Sequence, residues 1–366
     1  MTVTSTPPET TPRVSTPIAN SLTAGRLPNG APWMLLGAAL AVSGVLFGVI
    51  ALGAGEYNWV GAIVVGAILY IPAIWLFSSI VEGRRRATDR LVTALVTGAF
   101  LLAMIPLISL IYTVLSLGLA RFDAEFFTSS MRNVTGEGGG ALHAIVGTLI
   151  MTGTAAIISI PIGLMTSIYL VEYGRGKIAR GITFLVDVMT GIPSIVAGLF
   201  AYALFAIFFG PGVRLGIAGA VALAVLMIPV VVRSSEEMLR LVPNELREAS
   251  LALGVPKWLT IVKVVLPTSI AGITTGIMLA IARVIGETAP LLIAAGFTQS
   301  MNYNEFDGRM QSLPVFVYTQ YANQGNPPEA YLDRAWAAAL TLILIVMALN
   351  LLARLIARLF APKFGR

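Results

Sequence analysis

Eight long apolar segments constrain the fold of this chain more than any other feature. A helix that crosses the hydrocarbon core of a bilayer needs about 20 consecutive apolar residues. Hydrophobic residues make up 57% of the chain and charged residues 11%, whereas a typical soluble domain has about 25% charged residues. The sequence therefore predicts an all-α polytopic membrane protein with about eight transmembrane helices. The segments are residues 33–54, 60–80, 91–119, 144–170, 182–209, 215–233, 268–297 and 335–360.

The near absence of cysteine and histidine excludes several kinds of chemistry. The chain has no cysteine and one histidine, His143. It therefore lacks a disulfide framework, thiolate chemistry and an imidazole cluster for a metal. We predict neither a metal site nor a cofactor bound by this chain itself. The net charge of +6 follows from membrane topology, and we predict no nucleic-acid partner.

The basic residues are concentrated in alternate connections between the apolar segments. An even number of spans places both termini on the same side of the membrane. If that side is the cytoplasm, eighteen of the 24 lysines and arginines are cytoplasmic, five are external and Arg283 lies inside a span. Because basic residues accumulate on the cytoplasmic side, we predict that both termini are cytoplasmic. The five external arginines are Arg121, Arg132, Arg214, Arg309 and Arg334.

Composition also suggests how the chain is organised. Residues 1–30 are rich in threonine, serine and proline without an apolar core, which is typical of a disordered tail and not of a signal peptide. Residues 31–90 contain the first two apolar segments, and residues 91–366 contain the other six. We therefore predict a cytoplasmic tail, two extra N-terminal transmembrane helices and a six-helix core.

The cytoplasmic connection at residues 234–267 has a helical pattern and charges of both signs. Gly254 suits a left-handed helix cap, and Pro256 suits the first turn of the next helix, which predicts a helix, a sharp turn and a second helix. Leucines alternate with charges in the first helix, so its apolar face needs a partner or the membrane surface. The segment before Gly254 carries four glutamates and two arginines. A helix that binds anionic lipid should be rich in cations, so a protein partner is favoured over the membrane surface.

The same connection resembles the EAA loop of the inner-membrane permeases of bacterial ABC importers. The family pattern is Glu-Ala-Ala, three residues, Gly, nine residues, Ile, one residue, Leu-Pro. Here the residues are Glu248, Ala249, Ser250, Gly254, Val264, Leu266 and Pro267, with Ser250 and Val264 as the two departures.

This resemblance implies a type I importer core whose coupling helix docks on a cytoplasmic ATPase. No Walker A sequence is present, so ATP and Mg²⁺ are expected on partner subunits, and the chain is expected to be a transporter subunit and not an enzyme. The implied ATPase-coupling residues are Glu245, Glu248, Ala249, Ser250, Leu253, Gly254, Val255 and Pro256.

Two charged residues, Arg283 and Glu287, interrupt the seventh apolar segment. Arg283 lies about 24 Å beyond Pro267 along a helix, near the middle of a bilayer. An arginine there costs at least about 2.5–3.5 kcal/mol. Glu287, four residues later, would share its helical face. The pair is either a structural ion pair or a substrate site on a pathway, and intramembrane ionisable residues favour the second interpretation.

The chemistry of this pair suits phosphate. A guanidinium matches the geometry of an oxyanion, and a carboxylate accepts the P–OH hydrogen bond that sulfate does not offer. Residues 266–292 also resemble the seventh-span region of phosphate-specific ABC transporter permeases, with Arg283, Gly286, Glu287 and Thr288 matching the pattern Arg-x-x-Gly-Glu-Thr.

The phosphate-permease resemblance covers residues 91–366. Within that range, residues 138–152 and 190–200 also resemble the family. The Ala289-Pro290 that follows the motif is similar to the second, A-type, subunit. The resemblance implies that Arg283 and Glu287 meet phosphate, with Gly286 and Thr288 beside them. Ser194, which follows Gly191-Ile192-Pro193, is a weaker candidate for hydrogen bonding to the anion.

The resemblance also implies an assembly in the bacterial cell membrane. The expected partners are a related permease in a heterodimer, two copies of a cytoplasmic ATP-binding subunit, an external phosphate-binding protein and membrane lipid. Two other classes remain open from the residues alone. An ion-gradient-driven secondary transporter of an oxyanion would show inverted repeats, and a membrane enzyme using Glu287 would need a second catalytic group.

Overall fold

The computed structural model describes residues 27–28 and 30–360, and almost all of the predicted tail lies outside these residues. The described residues form helices and connecting segments without a strand. The helices are α1 (Ala31–Ala54), α2 (Trp59–Val81), α3 (Arg84–Gly118), α4 (Ala124–Thr128), α5 (Leu142–Ile168), α6 (Gly176–Thr190), α7 (Ser194–Phe209), α8 (Gly216–Arg240), α9 (Asn244–Ala252), α10 (Lys257–Thr260), α11 (Leu266–Val284), α12 (Ala289–Ala294), α13 (Leu313–Ala322) and α14 (Pro328–Phe360). A π-helical turn, Tyr169–Tyr173, extends α5, and a second one, Ile261–Val265, joins α10 to α11.

The helices agree with the predicted eight spans, with two corrections. Seven helices of the described part are long and apolar enough to cross a membrane, and α6 with α7 makes an eighth if the bent pair counts as one span. That pair bends by 109°, so the predicted fifth span is not one continuous helix. Pro193 explains the break, because proline disfavours a helical residue before it and lacks an N–H. The predicted seventh span is also broken, between α11 and α12.

The chain forms two compact units that divide between Leu110 and Ile111, inside α3. In the first unit, α1 and α2 form a close antiparallel pair in which Ser43 Oγ donates to the Ala62 carbonyl at 2.7 Å. Glu82, just after α2, accepts hydrogen bonds from Arg90, at 2.5 and 2.8 Å, and from Ser78.

In the second unit, α8 is the central helix. It packs against α5, α7 and α11 around an apolar core that includes Met151, Leu223 and Met227. Small residues along α8, such as Gly219 and Ala224, allow the neighbouring helices to approach closely, as is typical of helix pairs in membranes.

Candidate substrate and coupling sites

The seventh span is interrupted at the residues that the sequence singled out. α11 ends at Val284, and a turn closed by the Glu287 N–H and the Val284 carbonyl, at 3.1 Å, leads to α12. Pro290 accounts for the interruption, because its ring would clash with the carbonyl of Gly286 and it has no N–H to donate there. The prediction that Arg283 and Glu287 share one helical face is therefore wrong, since Glu287 lies between two helices.

The depth of Arg283 follows from the antiparallel contact of α8 and α11. A Cβ at Gly276 would lie 2.5 Å from Ser234 Cβ, and one at Gly272 would meet the side chain of Met238. Four residues forward along α11 therefore correspond to four residues back along α8. Two helical turns beyond Gly276, the same register places Arg283 level with Met227. Because α8 has 25 residues, Met227 is halfway along it. Arg283 thus lies level with the middle of α8, the most buried of the candidate spans.

Among the described residues, the guanidinium of Arg283 has no partner. The side chain is exposed, while Glu287 and Thr288 are half-buried. No hydrogen bond or ion pair joins Arg283 to another of the described residues. A Cβ at Gly286 would find no atom within 4 Å, so the space at the break is open. The structural ion pair considered from the sequence is not formed here.

Ser194 lies close to this break. It begins α7, directly after the bend at Pro193. One helical turn later, a Cβ at Gly198 would lie 2.6 Å from Pro290 Cα, so α7 touches the start of α12. This contact brings the first turn of α7 alongside the residues that follow Thr288. The two broken spans therefore meet at their breaks.

The cytoplasmic connection folds as a helix, a turn and a second helix, as predicted. Gly254 adopts a left-handed conformation with φ of +77°, and the Val255 N–H donates to the Ser250 carbonyl at 3.3 Å. Both features form the glycine-ended helix cap. Pro256 differs from the prediction, because it immediately precedes α10 and is not in its first turn.

One face of this helical hairpin is exposed and apolar. Leu253 is 83% exposed, and Leu246, Leu251 and Trp258 are also exposed. Glu245, Glu248, Ala249, Gly254 and Pro256 are exposed beside them, and Val255 is half-buried. Ser250 does not share this face. It is buried, and its hydroxyl lies 2.9 Å from Thr260 Oγ1, which ties α9 to α10.

Arg247 joins α9 to the ends of two other helices. Its Nε donates to Glu172 Oε1 at 3.0 Å, at the end of α5. Its two terminal nitrogens donate to the carbonyls of Val242 and Leu239, at 2.5 and 2.8 Å, at the end of α8. Lys257 donates to the Glu172 carbonyl as well. We call Arg247, Glu172 and Lys257 the inner clasp.

The inner clasp could not be predicted from the sequence. Arg247 was visible only as one charge on an amphipathic helix, and Glu172 lies 75 residues away. A second group of ion pairs lies at the same end of the bundle, where Arg233 pairs with Asp187 and with Glu236.

The sequence matches a family model described as binding-protein-dependent transport system inner membrane component over residues 159–366. The phosphate transport system permease protein PstA 1 of Mycobacterium tuberculosis is 49% identical over 276 residues, which cover 75% of this chain and 90% of that protein. PstA of Haemophilus influenzae is 38% identical over 275 residues, which cover 74% and 94%.

Two solved structures have a similar fold. A bacterial alginate ABC transporter, in complex with a periplasmic protein that holds an alginate pentasaccharide, matches with a TM-score of 0.54 and 12% identity, over 76% of this chain and 97% of that one. An inward-facing MetNI methionine ABC transporter matches with a TM-score of 0.51 and 21% identity, over 60% and 96%. At these identities the likeness concerns the fold of an ABC importer permease.

Proposed function

This chain belongs to the family of binding-protein-dependent transport system inner membrane components, and we propose that it works as a permease subunit. The transporter that it serves is an ATP-driven importer of inorganic phosphate. In this role it forms half of the translocation pathway and couples to a cytoplasmic ATPase. Relatives at 38–49% identity over about three quarters of the chain carry the name of phosphate transport permeases, which supports this substrate.

The observation that carries the proposal is the free guanidinium of Arg283 at half the depth of the bundle. An unpaired arginine at that depth is costly unless a ligand or a partner chain compensates its charge. No carboxylate of the described residues does so. Phosphate is an oxyanion that can accept two parallel hydrogen bonds from one guanidinium. The charge that destabilises the empty permease therefore favours the passage of the ion.

The neighbours of Arg283 suit hydrogen phosphate in particular. Glu287 lies in the break, where its carboxylate can accept the P–OH hydrogen bond of monohydrogen phosphate. Sulfate has no such proton at neutral pH and would meet an unpaired negative charge. The hydroxyls of Thr288 and Ser194 can donate to the remaining oxygens, and Gly286 leaves space for the ion.

The exposed apolar face of α9 and α10 is the proposed ATPase contact. Leu253 and its neighbours would dock in a groove of the ATPase, and the inner clasp would pass the movement of that subunit to α5 and α8. Such rigid-body displacement of packed helices is a common way to open and close a pathway. ATP and Mg²⁺ are bound by the ATPase in this scheme.

The remaining parts of the assembly follow from the same proposal. A related permease completes the pathway, two ATP-binding subunits dock on the cytoplasmic side, and an external phosphate-binding protein delivers the ion. Arg175, Lys177, Arg180, Arg240 and Lys263 lie at the α9 end of the bundle. Because basic residues accumulate on the cytoplasmic side, we propose that this end and both termini are cytoplasmic.

The test is ATP-dependent uptake of radiolabelled phosphate by the assembled complex in vesicles. Arg283→Gln should abolish uptake, and Glu287→Gln should reduce phosphate uptake while raising sulfate uptake. Arg354→Gln is the matched control, because Arg354 is an exposed arginine near the end of α14. Uptake that is unchanged in both Arg283→Gln and Glu287→Gln would refute the substrate site.

A further inference from the structure

Two chain segments are fixed to the end of α12 on the side away from α9. The Leu215 N–H, just before α8, donates to the Ala294 carbonyl at 3.2 Å. The Met310 N–H, in the connection before α13, donates to the Ala295 carbonyl at 3.3 Å. Leu215 and Met310 are both buried. The backbone of each segment is therefore held in place against consecutive carbonyls of one helix end.

The residues that precede these two anchors are both arginines, and their side chains meet over Gly296. A Cβ at Gly296 would lie 2.9 Å from Arg214 Cδ and 3.4 Å from Arg309 Cδ. Gly296 also has a φ of +71°, a conformation that side chains other than glycine rarely adopt. Glycine at this position leaves room for the two arginines to lie side by side. We call Arg214 and Arg309 the outer arginine pair.

Neither guanidinium of the outer arginine pair has a partner in the part of the chain that the structure describes. Asn302 Nδ2 donates to the Arg309 carbonyl at 3.0 Å, but no ion pair or hydrogen bond of the described residues involves the guanidinium of Arg214 or of Arg309. The carboxylate of Glu305, in the same connection as Arg309, accepts from Thr154 Oγ1 at 3.1 Å. Two adjacent like charges repel each other, and an anion between them removes that repulsion.

We propose that Arg214 and Arg309 form an oxyanion site that binds phosphate at the external end of the pathway. The inference rests on the proposed function and adds a second site to it. Arg214 precedes the first residue of α8, whereas Arg283 is level with its middle, so the two sites lie about 20 Å apart along that helix. Phosphate released by the external binding protein meets the outer arginine pair first and Arg283 second.

The two sites differ in chemistry. The inner site combines a guanidinium with the carboxylate of Glu287, which favours a protonated oxyanion. The outer arginine pair has donors only, so it attracts phosphate and sulfate alike. The outer site therefore concentrates oxyanions, and the inner site selects among them.

The experiment measures equilibrium binding of radiolabelled inorganic phosphate to the assembled complex, in neutral detergent and without the binding protein. An Arg283→Gln background removes the inner site and isolates the outer one. We expect this complex to bind phosphate, with sulfate competing equally, and Arg214→Gln with Arg309→Gln to weaken binding at least about tenfold. Arg132→Gln, an exposed external arginine, is the matched control and should leave binding unchanged.

Several results would overturn the outer site. One is phosphate binding that survives loss of both arginines, and another is binding that disappears with Arg283→Gln alone. A third is retention of added anionic phospholipid by the wild type, lost in the double variant while phosphate binding persists. Weaker docking of the empty binding protein on the double variant would assign the arginines to that partner. Failure of the wild-type complex to take up phosphate would refute the proposed function itself.

Discussion

Replacing Arg247 with glutamine should disconnect the coupling helix from the membrane helices. The substitution removes the contacts to Glu172 and to two carbonyls at the end of α8. The side chains of Arg247 and Glu172 are 16% and 7% exposed, so the pair is nearly buried. Removing one partner of a buried pair costs about 3–5 kcal/mol, and access to water favours the lower value. About 3 kcal/mol changes the equilibrium between attached and detached α9 roughly a hundredfold.

Two assays on the assembled complex report this change. Amide hydrogen exchange of Asn244–Ala252 should accelerate, and fewer phosphate ions should be transported per ATP hydrolysed. Glu172→Gln keeps an acceptor oxygen but leaves the Arg247 charge uncompensated, so its effect should be of similar size to that of Arg247→Gln, about 3 kcal/mol. Arg240→Gln is the matched control, because Arg240 is 66% exposed in its pair with Glu236 and such a pair contributes at most about 1 kcal/mol. Unchanged exchange and an unchanged ratio of transport to hydrolysis in Arg247→Gln would refute the role of the inner clasp.

Three further predictions test other contacts. Gly198→Ala should destabilise the complex by about 1–3 kcal/mol, because the new methyl group would lie 2.6 Å from Pro290 Cα. Gly153→Ala is the control, because its methyl group would meet no atom within 4 Å. Equal thermal midpoints for the two variants would contradict the close contact of α7 and α12. Thr260→Val should destabilise more than Ser250→Ala does in the same thermal assay, because it adds a buried methyl group and leaves the buried Ser250 hydroxyl unpaired; the opposite order would show that this hydrogen bond is not formed. The hydrogen bond from Arg90 lowers the pKa of Glu82 from 4.5 to about 2. The stability that the Glu82 carboxylate contributes is therefore complete above pH 4.5 and lost as the pH falls toward 2. The difference in thermal midpoint between wild type and Glu82→Gln should shrink over that interval, and a constant difference would contradict the lowered pKa.

The number of spans could be predicted from the sequence because a bilayer imposes one length on every apolar helix. The breaks inside two spans were harder to predict, although the prolines that cause them are visible in the sequence. Pro193 and Pro290 each stand in an apolar run where hydropathy alone favours one continuous helix. Hydropathy measures transfer into lipid and is insensitive to a missing N–H, so the helical face assigned to Glu287 was wrong.

Contacts between distant segments were not predictable from a single sequence. The inner clasp joins residues 75 positions apart, and the outer arginine pair depends on two backbone hydrogen bonds to the end of α12. Both require the packing of three helices at once. The distance of Arg283 from Pro267, by contrast, follows from the sequence alone within one continuous helix, because the rise per residue is fixed.

The most direct test of the account is a density map of the assembled complex trapped with phosphate. We predict tetrahedral density beside the Arg283 guanidinium, at the break between α11 and α12, with one oxygen within hydrogen-bond distance of Glu287. A map in which Arg283 is enclosed by side chains of the sister permease, while phosphate lies elsewhere, would contradict the account.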